Sequence, residues 1–241
     1  MSGKLFDVKK MLLPQIVSEE KDFIIVYKPP KMHSAPLAGS AGSNILEWCA
    51  ERRPEIMELP GRKKGEGGLL HRLDFETQGL MLIARTEAGM EALLEQQEEG
   101  TVTKEYSALA GKKGFAQAAK IESMFRPYGP GRKLVRPVLV NEIISDKRKD
   151  KTSEVYTTEI VSVKDISSEY VSLAVKIVKG FRHQIRSHLA WYGMPILNDK
   201  LYGGGFAGKG FLALRATSLF FRDPSGKDFR YSLAPIMLEE V

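Results

Sequence analysis

The sequence predicts an α+β protein: a mostly antiparallel or mixed central sheet flanked by a few helices. Three observations carry this. Apolar runs of strand length recur along the chain, and one of them, Tyr170 to Val178, alternates with period two through Val171, Leu173, Val175 and Ile177. Helix-like stretches are few. Strands follow one another in runs rather than alternating with helices, which argues against a doubly wound parallel sheet.

Taken in order, Asp22 to Tyr27 (DFIIVY) predicts a buried strand stopped by Pro29 and Pro30. Asn44 to Arg53 predicts a helix with Asn44 and Glu47 as a capping pair before Pro54. Gly61 to Gly68 (GRKKGEGG) is a basic connection, followed by two strand-like runs, Leu69 to Leu73 and Gly79 to Ala84. Thr86 to Glu99 predicts a helix closed by Gly100. Four strands are then expected, at Thr103 to Ala110, Leu134 to Ile144, Glu154 to Val163 and Tyr170 to Val178. Gly180 to Tyr192 predicts a second strong helix. Leu212 to Phe221 and Phe229 to Leu233 supply the last strands, joined by the turn DPSG at Asp223 to Gly226.

A length of 241 residues with 43% hydrophobic and 27% charged residues is the composition of a folded globular chain. No apolar run approaches the roughly 18 residues that a membrane helix needs. The opening MSGKLFDVKKMLLPQ holds too short an apolar run for a signal-peptide core. The single Cys49 excludes an internal disulfide and a cysteine-based zinc site. A cytoplasmic protein with no membrane partner is expected.

Lys and Arg number 36 against 30 Asp and Glu, giving a formal charge of +6, which favours a polyanionic partner. Charge is segregated. Thr86 to Glu99 carries only acidic charges, whereas Lys112, Lys113, Lys120, Arg126, Arg132 and Lys133 cluster between Gly111 and Lys133, and KRKDK follows at Lys147 to Lys151. Such segregation suits a groove for nucleic acid, while KRKDK alone equally fits a solvated loop.

The most informative stretch is HRLDFETQG at His71 to Gly79, where Asp74 sits two residues after Arg72 between a strand and a turn. By physics alone it is a strand end whose aspartate caps a turn. Read with the following GLMLIART, however, it resembles the signature HRLDxxTSGLLLLAKT of the RluA family of pseudouridine synthases, with Gln78 for serine and Arg85 for lysine. Further blocks follow in the family's order. Gly180 to His188 (GFRHQIRSH) is similar to GRTHQIRxH, and Gly193 to Gly203 is similar to GxPIxGDxxYG. Lys104 to Ala108 (KEYSA) resembles KxYxA, and Val26 to Ser34 resembles NKPxGxxxH with Lys31 where glycine is usual.

The resemblance covers about residues 16 to 235 and implies the pseudouridine synthase fold, with 1–15 an N-terminal extension and 16–241 the catalytic domain. It leaves no room in front for the small S4 domain of many relatives, so substrate contacts are expected from this domain, acting as a monomer. The implied reaction isomerises uridine to pseudouridine within tRNA or large-subunit rRNA and needs neither cofactor nor metal. Asp74 matches the catalytic aspartate, whose ionised carboxylate either attacks the ribose or removes a ribose proton. Arg186 matches its arginine partner. Tyr106 matches the tyrosine that lies against the uracil and takes the proton from the new carbon bond, a task that a phenol of pKa about 10 performs only when positioned and assisted. Arg72 matches the arginine that fills the RNA stack as the target nucleotide leaves it.

On a continuous helix Arg182 and Arg186 share one face, whereas His183 and His188 diverge and make poor metal ligands. His183 and Gln184 are expected to be hydrogen-bonders that fix the helix start. Arg182, Lys112, Lys113, Arg132 and Lys133 are the expected RNA contacts, the last four from charge clustering alone. Two other readings compete. Asp74 and Glu76, if extended, would stand about 6.6 Å apart on one face as a glycoside hydrolase pair, though Trp48 and Trp191 lie in helices away from the motif. An inactive RNA-binding or assembly protein would keep the basic surface, but retention of Asp74, Tyr106 and Arg186 together argues against it.

Overall fold

The computed structural model describes residues 12–37, 44–112, 117–139, 141–142, 151–208 and 210–241. The chain divides into two compact units, one comprising Met1–Lys104 with Arg215–Pro235, the other Glu105–Leu214 with Ile236–Val241.

In the first unit, β1 (Gln15–Glu19), β2 (Phe23–Lys28) and β3 (Gln78–Ala84) pair in that order, antiparallel. β3 then runs parallel to β9 (Leu214–Arg222), which pairs antiparallel with β10 (Asp228–Ser232). Every residue of β2 and β3 is buried, as expected of strands covered on both faces. Phe23, Ile25, Tyr27, Leu80, Leu82, Leu93 and Phe221 belong to one apolar core, with Phe221 edge-on to Phe23 at 4.8 Å. Gly79 makes the β3–β9 approach possible: its φ is +126°, and a Cβ there would lie 2.3 Å from the Ala216 carbonyl oxygen. α1 (Ile45–Ala50) begins at Asn44, whose side chain accepts from the Glu47 amide. α2 (Glu87–Glu99) starts on Thr86 and ends at Gly100 in the left-handed region, as the sequence predicts.

In the second unit the strand order is β4 (Thr103–Gly111, from Glu105 onward), β8 (Tyr170–Ile177), β7 (Tyr156–Asp165), β5 (Ala119–Tyr128) and β6 (Leu134–Val138). The β7–β8, β5–β7 and β5–β6 pairs are antiparallel. α3 (Gln184–Trp191) packs against β6 and β7, burying Ile185 and Leu189. Predominantly antiparallel strands with few helices bear out the α+β class.

Several expectations need correction. Leu69 to Leu73 is not a strand; it makes a single bridge, Leu69 to Ile83. β1 and β5 are not predicted by the sequence analysis: β1 is short and only partly buried, and β5 lies inside the basic cluster, its exposed Lys120 and Glu122 alternating with buried Ile121, Ser123 and Phe125. The predicted strand from Leu134 ends at Val138, and residues 143 and 144 lie outside the described set. The last helix begins at Gln184 rather than Gly180. His183 takes the left-handed conformation, with φ 53°, and Phe181 stacks on Phe125 with centroids 5.0 Å apart, which turns the chain before the helix can start. Arg182 therefore precedes α3 and does not share a helical face with Arg186. No helix among the described residues is long and apolar enough to cross a membrane.

Candidate active site

In the first unit Asp74 lies just ahead of β3, half-buried, and its backbone carbonyl accepts from the Thr77 amide at 3.1 Å. This turn bends the chain at Phe75 and Glu76, so the extended spacing required of an Asp74/Glu76 hydrolase pair is not formed. His71 anchors the approach to the turn: its Nε2 accepts from the Leu82 amide at 3.0 Å. Burial, reinforced by the charges of Lys104 and Arg62, pushes the His71 pKa down to about 3, so the ring is neutral and structural. Arg72 is exposed and meets Glu66 at 3.3 Å, a surface pair that leaves the guanidinium reachable from solvent.

Gln78 explains one departure from the family pattern. Its Oε1 accepts from the Tyr27 hydroxyl at 2.6 Å and from Arg215 Nη2 at 3.2 Å, and all three side chains are buried. The long amide brings an acceptor to the fully buried guanidinium of Arg215, which a serine would not reach. Lys31, standing where glycine is usual, keeps the glycine-like backbone with φ 60°.

Two residues that sequence reasoning passed over hold the aspartate's flanks. The buried Lys28 ammonium donates to the carbonyls of Pro29 (2.9 Å), Met32 (2.8 Å) and Phe75 (3.3 Å). The buried Ser34 hydroxyl donates to the Leu73 carbonyl at 2.7 Å and accepts from the Leu73 amide at 2.9 Å. Both lie in the opening motif, which was the signal available for them.

In the second unit Tyr106 sits on β4 with its side chain largely buried, 7% exposed. Arg186, on α3, is bound by Asp199 through two hydrogen bonds, Nε to Oδ2 and Nη2 to Oδ1, each 2.8 Å. Asp199 belongs to the block similar to GxPIxGDxxYG, so the motif could have identified it. Tyr202, three residues on, accepts from the Val135 amide at 3.0 Å, lies 3.0 Å from His183 Nδ1, and turns its ring toward the Arg186 guanidinium. Burial pushes the Tyr202 pKa up to about 12, so the phenol stays protonated.

Of the two residues expected to fix the helix start, Gln184 does so, whereas the His183 side chain makes no cap hydrogen bond and meets Tyr202 instead. Gln184 Oε1 accepts from the Phe181 amide at 2.9 Å and its Nε2 donates to the Thr157 carbonyl at 2.9 Å, tying the helix start to β7. His188 bridges Ser123 and Thr158 at 2.8 Å each.

Among the expected RNA contacts, Arg182 and Arg132 are brought together: Arg182 Nη2 donates to the Arg132 carbonyl at 2.7 Å, and Lys133 follows in the same turn between β5 and β6. Arg126 and Arg136 face each other across that strand pair. Arg136 is paired with Glu142 at 3.1 Å. Lys112 stands elsewhere in the unit, paired with Asp165 at 2.8 Å. Lys113 and most of KRKDK lie outside the described residues. No group of three or more His, Cys, Asp or Glu suited to a metal ion occurs among the described residues.

A mostly antiparallel α+β framework of this kind is the pseudouridine synthase fold. Human RNA Pseudouridylate Synthase Domain Containing 1 matches with a TM-score of 0.66 at 18% identity, covering 93% of this chain and 84% of that one. The human Domain Containing 4 protein matches with the same TM-score over 89% of its length. The family model described as RNA pseudouridylate synthase matches residues 22–191, and the chain belongs to that family. Ribosomal large subunit pseudouridine synthase D of Haemophilus ducreyi is 27% identical over 195 residues, covering 78% of this chain and 52% of the relative. The protein of the same description from Escherichia coli K12 is 29% identical over 190 residues, with the same coverage. The chain thus spans about half the length of the curated relatives it matches.

Proposed function

We propose that this chain is an RNA pseudouridine synthase. The observation that carries the reading is the family match over residues 22–191, a span that includes Asp74, Tyr106 and Arg186. In the proposed reaction the bond between uracil nitrogen and ribose breaks, the base turns, a carbon–carbon bond forms to the same ribose carbon, and the proton on that ring carbon is given up while the freed ring nitrogen takes one up. Asp74 serves as the catalytic carboxylate. Tyr106 lies against the uracil and takes the proton, while Arg186 stabilises the ionised carboxylate.

Arg72 is the proposed base-flipping residue, and its exposed guanidinium supports this: a planar cation that stacks and meets phosphate can fill the space an extruded nucleotide leaves. Arg132, Lys133 and Arg182 are the proposed phosphate contacts, with Lys112 secondary because Asp165 already engages it. The relatives' descriptions name the large ribosomal subunit, so large-subunit rRNA is the favoured substrate over tRNA. The proposed protein acts as a cytoplasmic monomer.

Pseudouridine mapping of total RNA, from cells with and without the gene, tests this reading. The expected result is loss of one or a few sites in large-subunit rRNA; identical maps would contradict it.

A further inference from the structure

We propose that Lys28 and Ser34 are positioning residues for Asp74, fixing the backbone on both sides of the carboxylate. This rests on the proposed catalytic role of Asp74. One hydroxyl, that of Ser34, binds both polar backbone groups of Leu73, the residue before Asp74. One ammonium, that of Lys28, binds the carbonyl of Phe75, the residue after it. The Asp74 carbonyl is itself held by Thr77. Three consecutive residues thus have backbone groups pinned, and Lys28 and Ser34 come from a single segment, 28–34.

The chemistry of the two groups suits this work. An ammonium has three donors, and Lys28 spends them on three carbonyls, two in its own loop and one at the aspartate's turn, with no exposure to solvent. Burying a charge this way is expensive, and an apolar side chain would fill the volume at lower cost were packing the whole role. Burial pushes the Lys28 pKa down to about 7, and the negative charge of Asp74 opposes that fall.

The loop bears other marks of a fixed element: Lys31 holds a left-handed backbone with φ 60°, and His33 packs on Phe75 with ring centroids 4.5 Å apart. The remaining titratable groups of the two segments are Lys31, His33, His71, Arg72 and Glu76. β3 carries no charged side chain, and β1 carries only Glu19, at its far end from Lys28. A misplacement of about 1 Å costs on the order of 10²-fold in rate, so pinning these backbone groups is a kinetic matter.

The test uses the full chain and a short RNA containing the mapped uridine, and compares Lys28→Met, Ser34→Ala and Asp74→Asn. Thermal midpoint, RNA affinity and the single-turnover rate are measured for each. Lys28→Met is expected to keep RNA affinity within about twofold and to react at least about tenfold more slowly. Ser34→Ala is expected to slow the reaction in the same way, again at unchanged RNA affinity.

A folded Lys28→Met with the wild-type rate, beside an inactive Asp74→Asn, overturns the positioning role alone. Wild-type turnover by Asp74→Asn overturns the reading of Asp74 itself. Should Lys28→Met fail to fold, Ser34→Ala decides: a slower rate at unchanged affinity supports the proposal, and a wild-type rate overturns it.

Discussion

Arg186 and Asp199 form a buried ion pair with two parallel hydrogen bonds of 2.8 Å, the side chains 2% and 0% exposed. The same carboxylate accepts from the Leu201 and Tyr202 amides at 3.0 and 3.2 Å, so one aspartate ties α3 to the turn that follows it. An arginine matched to the family's chemistry is thereby held in one orientation, its planar fork engaged by a carboxylate of complementary geometry.

Removing that carboxylate breaks both hydrogen bonds of a buried ion pair. Asp199→Ala is expected to lower stability by about 3–5 kcal/mol, the cost of removing one member of such a pair. The double variant Asp199→Ala/Arg186→Met is expected to recover part of the loss, because the buried cation is gone as well. Urea denaturation of the three proteins measures both quantities.

Acid is expected to destabilise the fold through His188. Its ring is buried between Ser123 and Thr158, and burial lowers its pKa from 6.5 to about 4. Between these values the unfolded chain binds a proton that the folded one excludes, so stability falls as pH drops from about 6.5 to about 4 and the effect is flat below. At ~1.4 kcal/mol per unit the loss is roughly 3 kcal/mol, with His71 contributing in the same direction. Denaturation curves at a series of pH values check this, and His188→Gln is expected to flatten the dependence.

RNA affinity is expected to fall steeply with salt. Reversing the charges of Arg132, Lys133 and Arg182 together is expected to flatten the slope of log affinity against log salt by about 0.7–0.9 for each phosphate that is no longer neutralised. Lys112→Glu is expected to change it less, since Asp165 already neutralises that ammonium. Filter-binding titrations over a salt series separate the two.

The sequence was most legible where local chemistry and tertiary packing agree. Asn44, Thr86 and Gly100 cap their helices as their side chains dictate, and the apolar run of β3 is buried throughout. It was least legible where a distant partner decides. Leu69 to Leu73 has strand-like composition, yet His71 and Leu73 bond to Leu82 and Ser34 as single anchors rather than a ladder. β5 was seen only as part of a basic cluster, although Lys120, Glu122 and Arg126 alternate with Ile121, Ser123 and Phe125, and pairing with β6 and β7 makes it a strand. The motif residues Asp74, Tyr106 and Arg186 were visible from resemblance. Asp199, Lys28 and Ser34 were not singled out, because their partners are backbone groups or side chains set by the turn and loop geometry.

Whether Asp74 carries the chemistry is decided by single-turnover conversion of uridine to pseudouridine by purified wild-type and Asp74→Asn proteins on the mapped RNA. Asparagine keeps the side chain's volume and loses its charge. Conversion is expected from the wild type and none from Asp74→Asn, with fold and RNA affinity essentially unchanged. Wild-type conversion by Asp74→Asn would contradict that role.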